Sequence, residues 1–206
     1  MSRISLYVDW WNVAKAAGRL HQRLHLGELP IALAGPGSGR EILFQQIYYG
    51  PMMGRDAALR IQRINGEAQS FGYTYLLCES ENGAHKSQVD LVITGDMITH
   101  ACLGRADILA LCAGDVDYAF AVRRAATMGV RVEVYAVNPS RQFVAVMARH
   151  AHLVRDLADL NVLHAEPPDA MEGLFEDELG ALSPCPTGSD AQPVVPSRVA
   201  RHRKGK

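Results

Sequence analysis

The side chains best able to do chemistry fall in three short stretches. Asp9 stands in Val8-Asp9-Trp10-Trp11-Asn12, and Asp90 in Lys86-Ser87-Gln88-Val89-Asp90, with Asp96 following on the same segment. Asp115 and Asp117 stand in Ala113-Gly114-Asp115-Val116-Asp117-Tyr118. Carboxylates gathered in one partly desolvated place repel one another, by roughly several kcal/mol per close pair at intermediate dielectric. Proton uptake or a hard divalent cation relieves that repulsion. Oxygen donors without Cys or paired His favour Mg2+ or Mn2+ over zinc. Such an ion suits phosphodiester hydrolysis. It polarises the phosphoryl oxygen, lowers the pKa of a bound water and shields the leaving oxygen, so no side-chain nucleophile is required.

Each acid also has an ordinary structural role open to it. Asp9, Asn12 or Asp117 can cap a helix. Ser87 and Asp90 have the spacing of a capping box, and any acid in a first helical turn is stabilised by the helix dipole. The case for chemistry rests on whether the chain brings these acids together.

The elements that would do so are legible. Apolar, β-branched or aromatic runs at Ile4–Val8, Glu41–Tyr49, Tyr73–Cys78, Ile108–Cys112 and Arg131–Val137 read as strands. Helical patterns lie between and after them at Asn12–Leu24, Ala57–Phe71, Gln88–Cys102, Tyr118–Met128 and Arg141–His150. Strand followed by helix, repeated, predicts crossover units and a parallel sheet covered on both faces. If the strand order is 3-2-1-4-5, the first and fourth strands are neighbours, and Asp9, Asp115 and Asp117 leave the same edge, where such folds bind ligands. Asp90 joins them if its helix start is tucked inward. Gly27–Arg40 reads as a long inserted loop.

The chain has 206 residues, 48% of them hydrophobic, which is enough for a real core. A formal charge of −1 gives no global attraction to nucleic acid or anionic lipid, so any such binding must be local. No apolar run is long enough for a membrane span, and the first residues reach an acid too early for a signal peptide. Cys78, Cys102, Cys112 and Cys185 lack a CxxC spacing, which disfavours a zinc knuckle and suits a reducing cytoplasm. His21 and His25 have the spacing of one helix face, with no third ligand nearby. From Ala165 onward the sequence is Pro-rich and then basic, with Arg198, Arg201, Arg203, Lys204 and Lys206 at its end. We expect one domain over 1–164 and a largely disordered tail over 165–206, with a short helix around Ala170–Leu182 open to it.

Taken in order, these motifs resemble the NYN family, a branch of the PIN-like metal-dependent ribonuclease fold. The resemblance runs from about Ile4 to Asp159. Val8-Asp9-Trp10-Trp11-Asn12 stands where the family carries a strand and Asp-Gly-x-Asn. The stretch from Lys86 through Val89, Asp90, Asp96 and Met97 fits its Lys-x-x-Val-Asp-x-x-[Ile/Leu]-x-x-Asp-Met pattern. Gly114-Asp115-Val116-Asp117-Tyr118, then Arg123-Arg124, Gly129, Val132-Glu133-Val134 and Ser140, follow its third motif. The resemblance implies a three-layer α/β/α sandwich on a central five-stranded, mainly parallel sheet. It implies metal-assisted endonucleolytic cleavage of single-stranded RNA, leaving a 5′-phosphate. Asp9, Asp90, Asp115 and Asp117 would be the catalytic acids and the ligands of Mg2+ or Mn2+. Asn12, Asp96, Lys86 and Ser140 would support them. Related folds often dimerise, so a homodimer is an expected assembly.

The departures are at Trp10, which replaces a Gly, and at Ala113 and Val116, which replace small hydroxyl residues. Exposed rings stack on bases, so Trp10 is a candidate RNA contact, alongside Arg123, Arg124 and Arg141 for phosphates. Trp11 is better read as core. Two other readings follow from the residues. One is a catalytically weak or inactive domain of this family that binds RNA or a protein partner. The other is a haloacid-dehalogenase-type phosphatase, whose Asp-x-Asp motif Asp115-Val116-Asp117 matches, although that motif normally closes a first strand and here would close the fourth.

Overall fold

The computed structural model describes residues 1–52, 55–78 and 88–166. Lys86, Ser87, Cys185 and the expected tail beyond residue 166 lie outside them. In chain order the elements are β1 Ser2–Asp9, α1 Trp10–Gly18, β2 Gln22–Leu24, α2 Glu28–Ala34, β3 Arg40–Tyr49, α3 Ala57–Ser70 and β4 Thr74–Leu77. There follow α4 Val89–Cys102, β5 Ile108–Cys112, a 3-10 turn Val116–Tyr118, α5 Ala119–Thr127, β6 Arg131–Ala136, α6 Arg141–Met147, β7 Leu153–Asp156, a 3-10 turn Leu157–Leu160 and β8 Leu163–Ala165.

The main sheet runs β4-β3-β1-β5-β6-β7, and every neighbouring pair is parallel. The five expected strands take the expected order. Among the described residues the sheet has six strands rather than five, because Leu153–Asp156 extends it at the β6 edge. The extra strand has only four residues, with none fully buried, so it carries little hydrophobic pattern of its own.

Strand periodicity divides the core into two layers. Ile4, Leu6 and Val8 of β1 pack with Val13 and Ala17 of α1, Leu29 and Leu33 of α2, and Ile64 and Ala68 of α3. On the other face, Tyr7, Leu109 and Leu111 pack with Ile93 and Met97 of α4, Val122 and Ala125 of α5, and Phe143 and Met147 of α6. This is the three-layer α/β/α sandwich.

Two local expectations are corrected. Gly27–Arg40 is not all loop: α2 occupies its first half, anchored by buried Leu29 and Leu33. Pro30 falls in the first helical turn, where a missing N–H does no harm. The first helix stops at Gly18, and Gln22–Leu24 pairs antiparallel with Leu163–Ala165. His21 and His25 therefore share no helix; His21 takes a left-handed φ of 54°. The pairing partner lies far along the chain, out of reach of local pattern.

Opposite the edge where Asp9 ends β1, the sheet buries an ion network. Glu133 of β6 is 0% exposed and accepts from Arg40 Nη1 and Nη2 at 2.9 Å each, from Arg131 Nε at 2.6 Å and from the Tyr135 hydroxyl at 2.7 Å. Burial pushes its carboxyl up, yet the donors outweigh burial and hold it below the ordinary glutamate value. Breaking such a buried pair typically costs about 3–5 kcal/mol. Glu133→Ala is therefore expected to lose about that much stability in urea unfolding, while Mn2+ binding by the folded fraction is unchanged.

Candidate metal centre

Val8 of β1 pairs with Cys112 of β5, so the chain leaves both strands side by side. Asp9 closes β1 and caps α1, its Oδ1 accepting from the Asn12 backbone N–H at 3.2 Å. Asp115 caps the 3-10 turn that holds Asp117, accepting from the Asp117 N–H at 3.0 Å. Asp90 lies in the first turn of α4, which packs against that same 3-10 turn. One carboxylate oxygen from each of Asp90, Asp115 and Asp117 lies within 4.8 Å of the others. Asp90 and Asp115 are half-buried and Asp117 is exposed, so the trio opens to solvent.

Asp9 stands behind this trio. It is 6% exposed, and its Oδ2 accepts from the Tyr118 hydroxyl at 2.8 Å. The same hydroxyl lies 3.2 Å from Asp90 Oδ1. A phenol has one proton to donate, so Asp9 and Asp90 share a single donor. Burial pushes the Asp9 carboxyl up to about 6; the Tyr118 and Asn12 donors oppose the shift, and the charges of Asp90 and Asp115 add to it. Burial, then the Asp9 and Asp90 carboxylates, hold the Tyr118 hydroxyl protonated well above the usual phenol range. Burial, aided by Asp9, Asp96 and Asp90, pushes the Cys78 thiol up to about 11, so it is no nucleophile at neutral pH.

The supporting residues fall into place by touch. Asn12 does not turn its side chain to Asp9. Its Oδ1 accepts from the Gly114 N–H at 2.6 Å, tying the exit of β1 to the exit of β5. A Cβ on Gly114 would stand 3.3 Å from that oxygen, which favours glycine there. Asp96 lies about 120° around an ideal helix from Asp90 and accepts from the Tyr48 hydroxyl at 2.7 Å. Further along α4, His100 Nδ1 is 2.7 Å from the Tyr7 hydroxyl. Three buried tyrosines, Tyr7 and Tyr48 on the sheet and Tyr118 on the 3-10 turn, thus fix α4 in place and set where Asp90 points. The sequence reading assigned none of them a role.

Ser140 caps α6, accepting from the Phe143 N–H at 3.1 Å, and α6 packs against the 3-10 turn of the trio. Arg123, Arg124 and Arg141 are exposed on α5 and α6. Trp10 is corrected. It opens α1 and is 7% exposed in the core, so its ring has no free face for a base. Its apolar bulk won, although its indole N–H is buried without a hydrogen-bond partner among the described residues. Trp11 packs against the same core and donates to the Gly50 carbonyl at 3.3 Å.

The donor set fits a hard cation. All three groups are carboxylates, the oxygen donors that Mg2+ and Mn2+ prefer. Their oxygens lie close enough together to converge on one such ion.

Comparison with curated proteins gives no match. A protein of unknown function from Vibrio parahaemolyticus has a similar fold, with a TM-score of 0.60 at 19% identity over 77% of this chain and 94% of that one. A structure from Parabacteroides merdae aligns at a TM-score of 0.30 and 10% identity, over 75% of this chain and 31% of that one, and carries no argument. The NYN domain profile matches residues 3–154, spanning the sheet from β1 into β7 and all the acids above. With this match, a sandwich of the PIN-like type and its acids at the carboxyl edge of a parallel sheet, the chain belongs to the NYN domain family.

Proposed function

We propose that the protein is a metal-dependent endoribonuclease acting on single-stranded RNA, with Asp90, Asp115 and Asp117 holding Mg2+ or Mn2+. The observation that carries this reading is the convergence of three carboxylates within 4.8 Å at the ligand-binding edge of the sheet. When bound, the ion supplies an activated water and shields the charge developing on phosphate. Asp9 acts from behind: it shares the Tyr118 proton with Asp90 and adds negative potential to the cleft. Asn12 and Asp96 hold the strand exits and α4 in place. Lys86 is kept as a supporting residue on its place in the family motif, and Ser140 as the cap that seats α6. Arg123, Arg124 and Arg141 are offered as phosphate contacts, each exposed on an element that adjoins the trio. Asp9 remains a candidate ligand in a fully loaded site. The thiols of Cys78, Cys102 and Cys112 are free, which suits a reducing cytoplasm. No helix among the described residues is long and apolar enough to cross a membrane.

The direct test is incubation of labelled single-stranded RNA with the protein and Mn2+, with and without EDTA. Cleavage that EDTA abolishes is expected. A second reading, an RNA-binding or protein-interaction module on the same scaffold, is favoured by Ala113 and Val116, which remove two hydroxyls from the third motif. Binding without cleavage in Mn2+ would select that reading. An aspartyl-phosphate trapped on Asp115 would instead select the phosphatase.

A further inference from the structure

We infer that the exposed ring of Phe120 is the stacking platform for an unpaired nucleobase beside the scissile phosphate, and so selects single-stranded over base-paired RNA. The inference rests on the nuclease reading for where the phosphate sits. Trp10 is buried in the core and offers no face to a base. Phe120 is 56% exposed in the first turn of α5, three residues after Asp117. The inward stripe of that helix is Ala121, Val122 and Ala125, all buried, and Phe120 stands outside it. More than half of this large apolar residue therefore faces solvent.

Two further observations point to a nucleic acid. The Arg123 guanidinium lies over the Phe120 ring, 5.9 Å from its centroid. A cation on an aromatic ring beside a metal cleft is the pairing that single-stranded nucleic acid uses, with base on ring and phosphate on cation. The apolar surface also continues around the trio. Leu91, next to Asp90, is 70% exposed, and Val116, between Asp115 and Asp117, is 43% exposed. Single exposed apolar residues are ordinary. Here three of them lie within three residues of a trio acid, on elements that pack together. A base in a duplex has both faces covered by its neighbours, whereas an unpaired base can leave its stack for a protein ring. A second copy of this chain is the competing occupant. The exposed Arg123 and Arg124 favour a polyanion over it.

The test measures binding of a short, unstructured, uridine-rich RNA and of a hairpin of equal length, both fluorescently labelled, with Ca2+ in place of Mn2+. A 2-aminopurine in the single strand reports stacking by its quenching. Phe120→Ala and Phe120→Leu are expected to weaken single-strand binding about tenfold and to abolish the quenching, while Phe120→Trp stays within about twofold of wild type. Hairpin binding and Mn2+ affinity should be unmoved in all three. The inference is overturned if Phe120→Leu binds like wild type, since apolar area rather than a π face would then suffice. It is equally overturned if single-strand and hairpin binding fall together, if wild type binds neither RNA, or if wild type is a dimer that Phe120→Ala splits. Quenching without any cleavage in Mn2+ keeps the Phe120 platform and sinks the hydrolytic reading; cleavage with binding indifferent to Phe120 does the reverse.

Discussion

Asp115→Asn is expected to bind Mn2+ at least about tenfold more weakly than wild type and to lose RNA cleavage by about a hundredfold or more. Outer-shell partners of metal sites typically cost about 10–100-fold when removed, so loss of one of three converging carboxylates sets a floor at that level. Asparagine caps as well as aspartate, so the 3-10 turn that Asp115 closes through the Asp117 N–H survives the change. Charge is then the main thing removed, and this gives a second readout independent of activity. Carboxylates within 4.8 Å of one another repel by roughly 1–3 kcal/mol per pair, between aqueous and intermediate screening. Without metal, Asp115→Asn should unfold at a higher temperature than wild type. In saturating Mn2+ the order should reverse, because only wild type gains full binding energy in the folded state. The same order with and without Mn2+ would mean that the trio does not share an ion.

The second large effect belongs to Asp9. Its carboxyl stands at about 6, against an ordinary 3.8, chiefly because it is buried. A proton held more tightly in the folded state contributes stability at low pH. That contribution fades as pH rises between about 4 and about 6 and is absent above, where folding must bury a charge. In metal-free buffer, Asp9→Asn should therefore match wild type near pH 4 and exceed its stability above pH 6, by on the order of 2–3 kcal/mol. Tyr118→Phe removes the donor that opposes the shift, so its loss of stability should extend to higher pH. Denaturant melts across this range check both signs. Mn2+ affinity separates the two roles open to Asp9. If it acts only from behind the trio, Asp9→Asn weakens binding by much less than Asp115→Asn does. Equal losses would make it a direct ligand.

Most of the framework was readable because it is written in local pattern. The runs at Ile4–Val8 and Ile108–Cys112 announce strands buried on both faces, and the helical periods between runs impose parallel crossovers. The acids were readable through their motifs. What failed was set at a distance. Gln22–Leu24 became a strand only because Leu163–Ala165 returns to pair with it. Glu28–Ala34 became a helix because Leu29 and Leu33 found a core to enter, despite Pro30 and the glycines that follow. Leu153–Asp156 is too short and too exposed to declare itself without its neighbour β6.

The sequence by itself determined the layers, the five strands β1, β3, β4, β5 and β6 in their expected order and the presence of acids at the carboxyl edge, since alternation and crossover handedness follow from near neighbours. Only the tertiary structure decided which acids meet. Asp90, Asp115 and Asp117 converge, while Asp9 is drawn back under a hydroxyl supplied by Tyr118, a residue more than a hundred positions away. It also decided that Trp10 fills the core while Phe120 faces solvent. Both outcomes turn on burial and on distances between remote residues, which packing sets and no local pattern encodes.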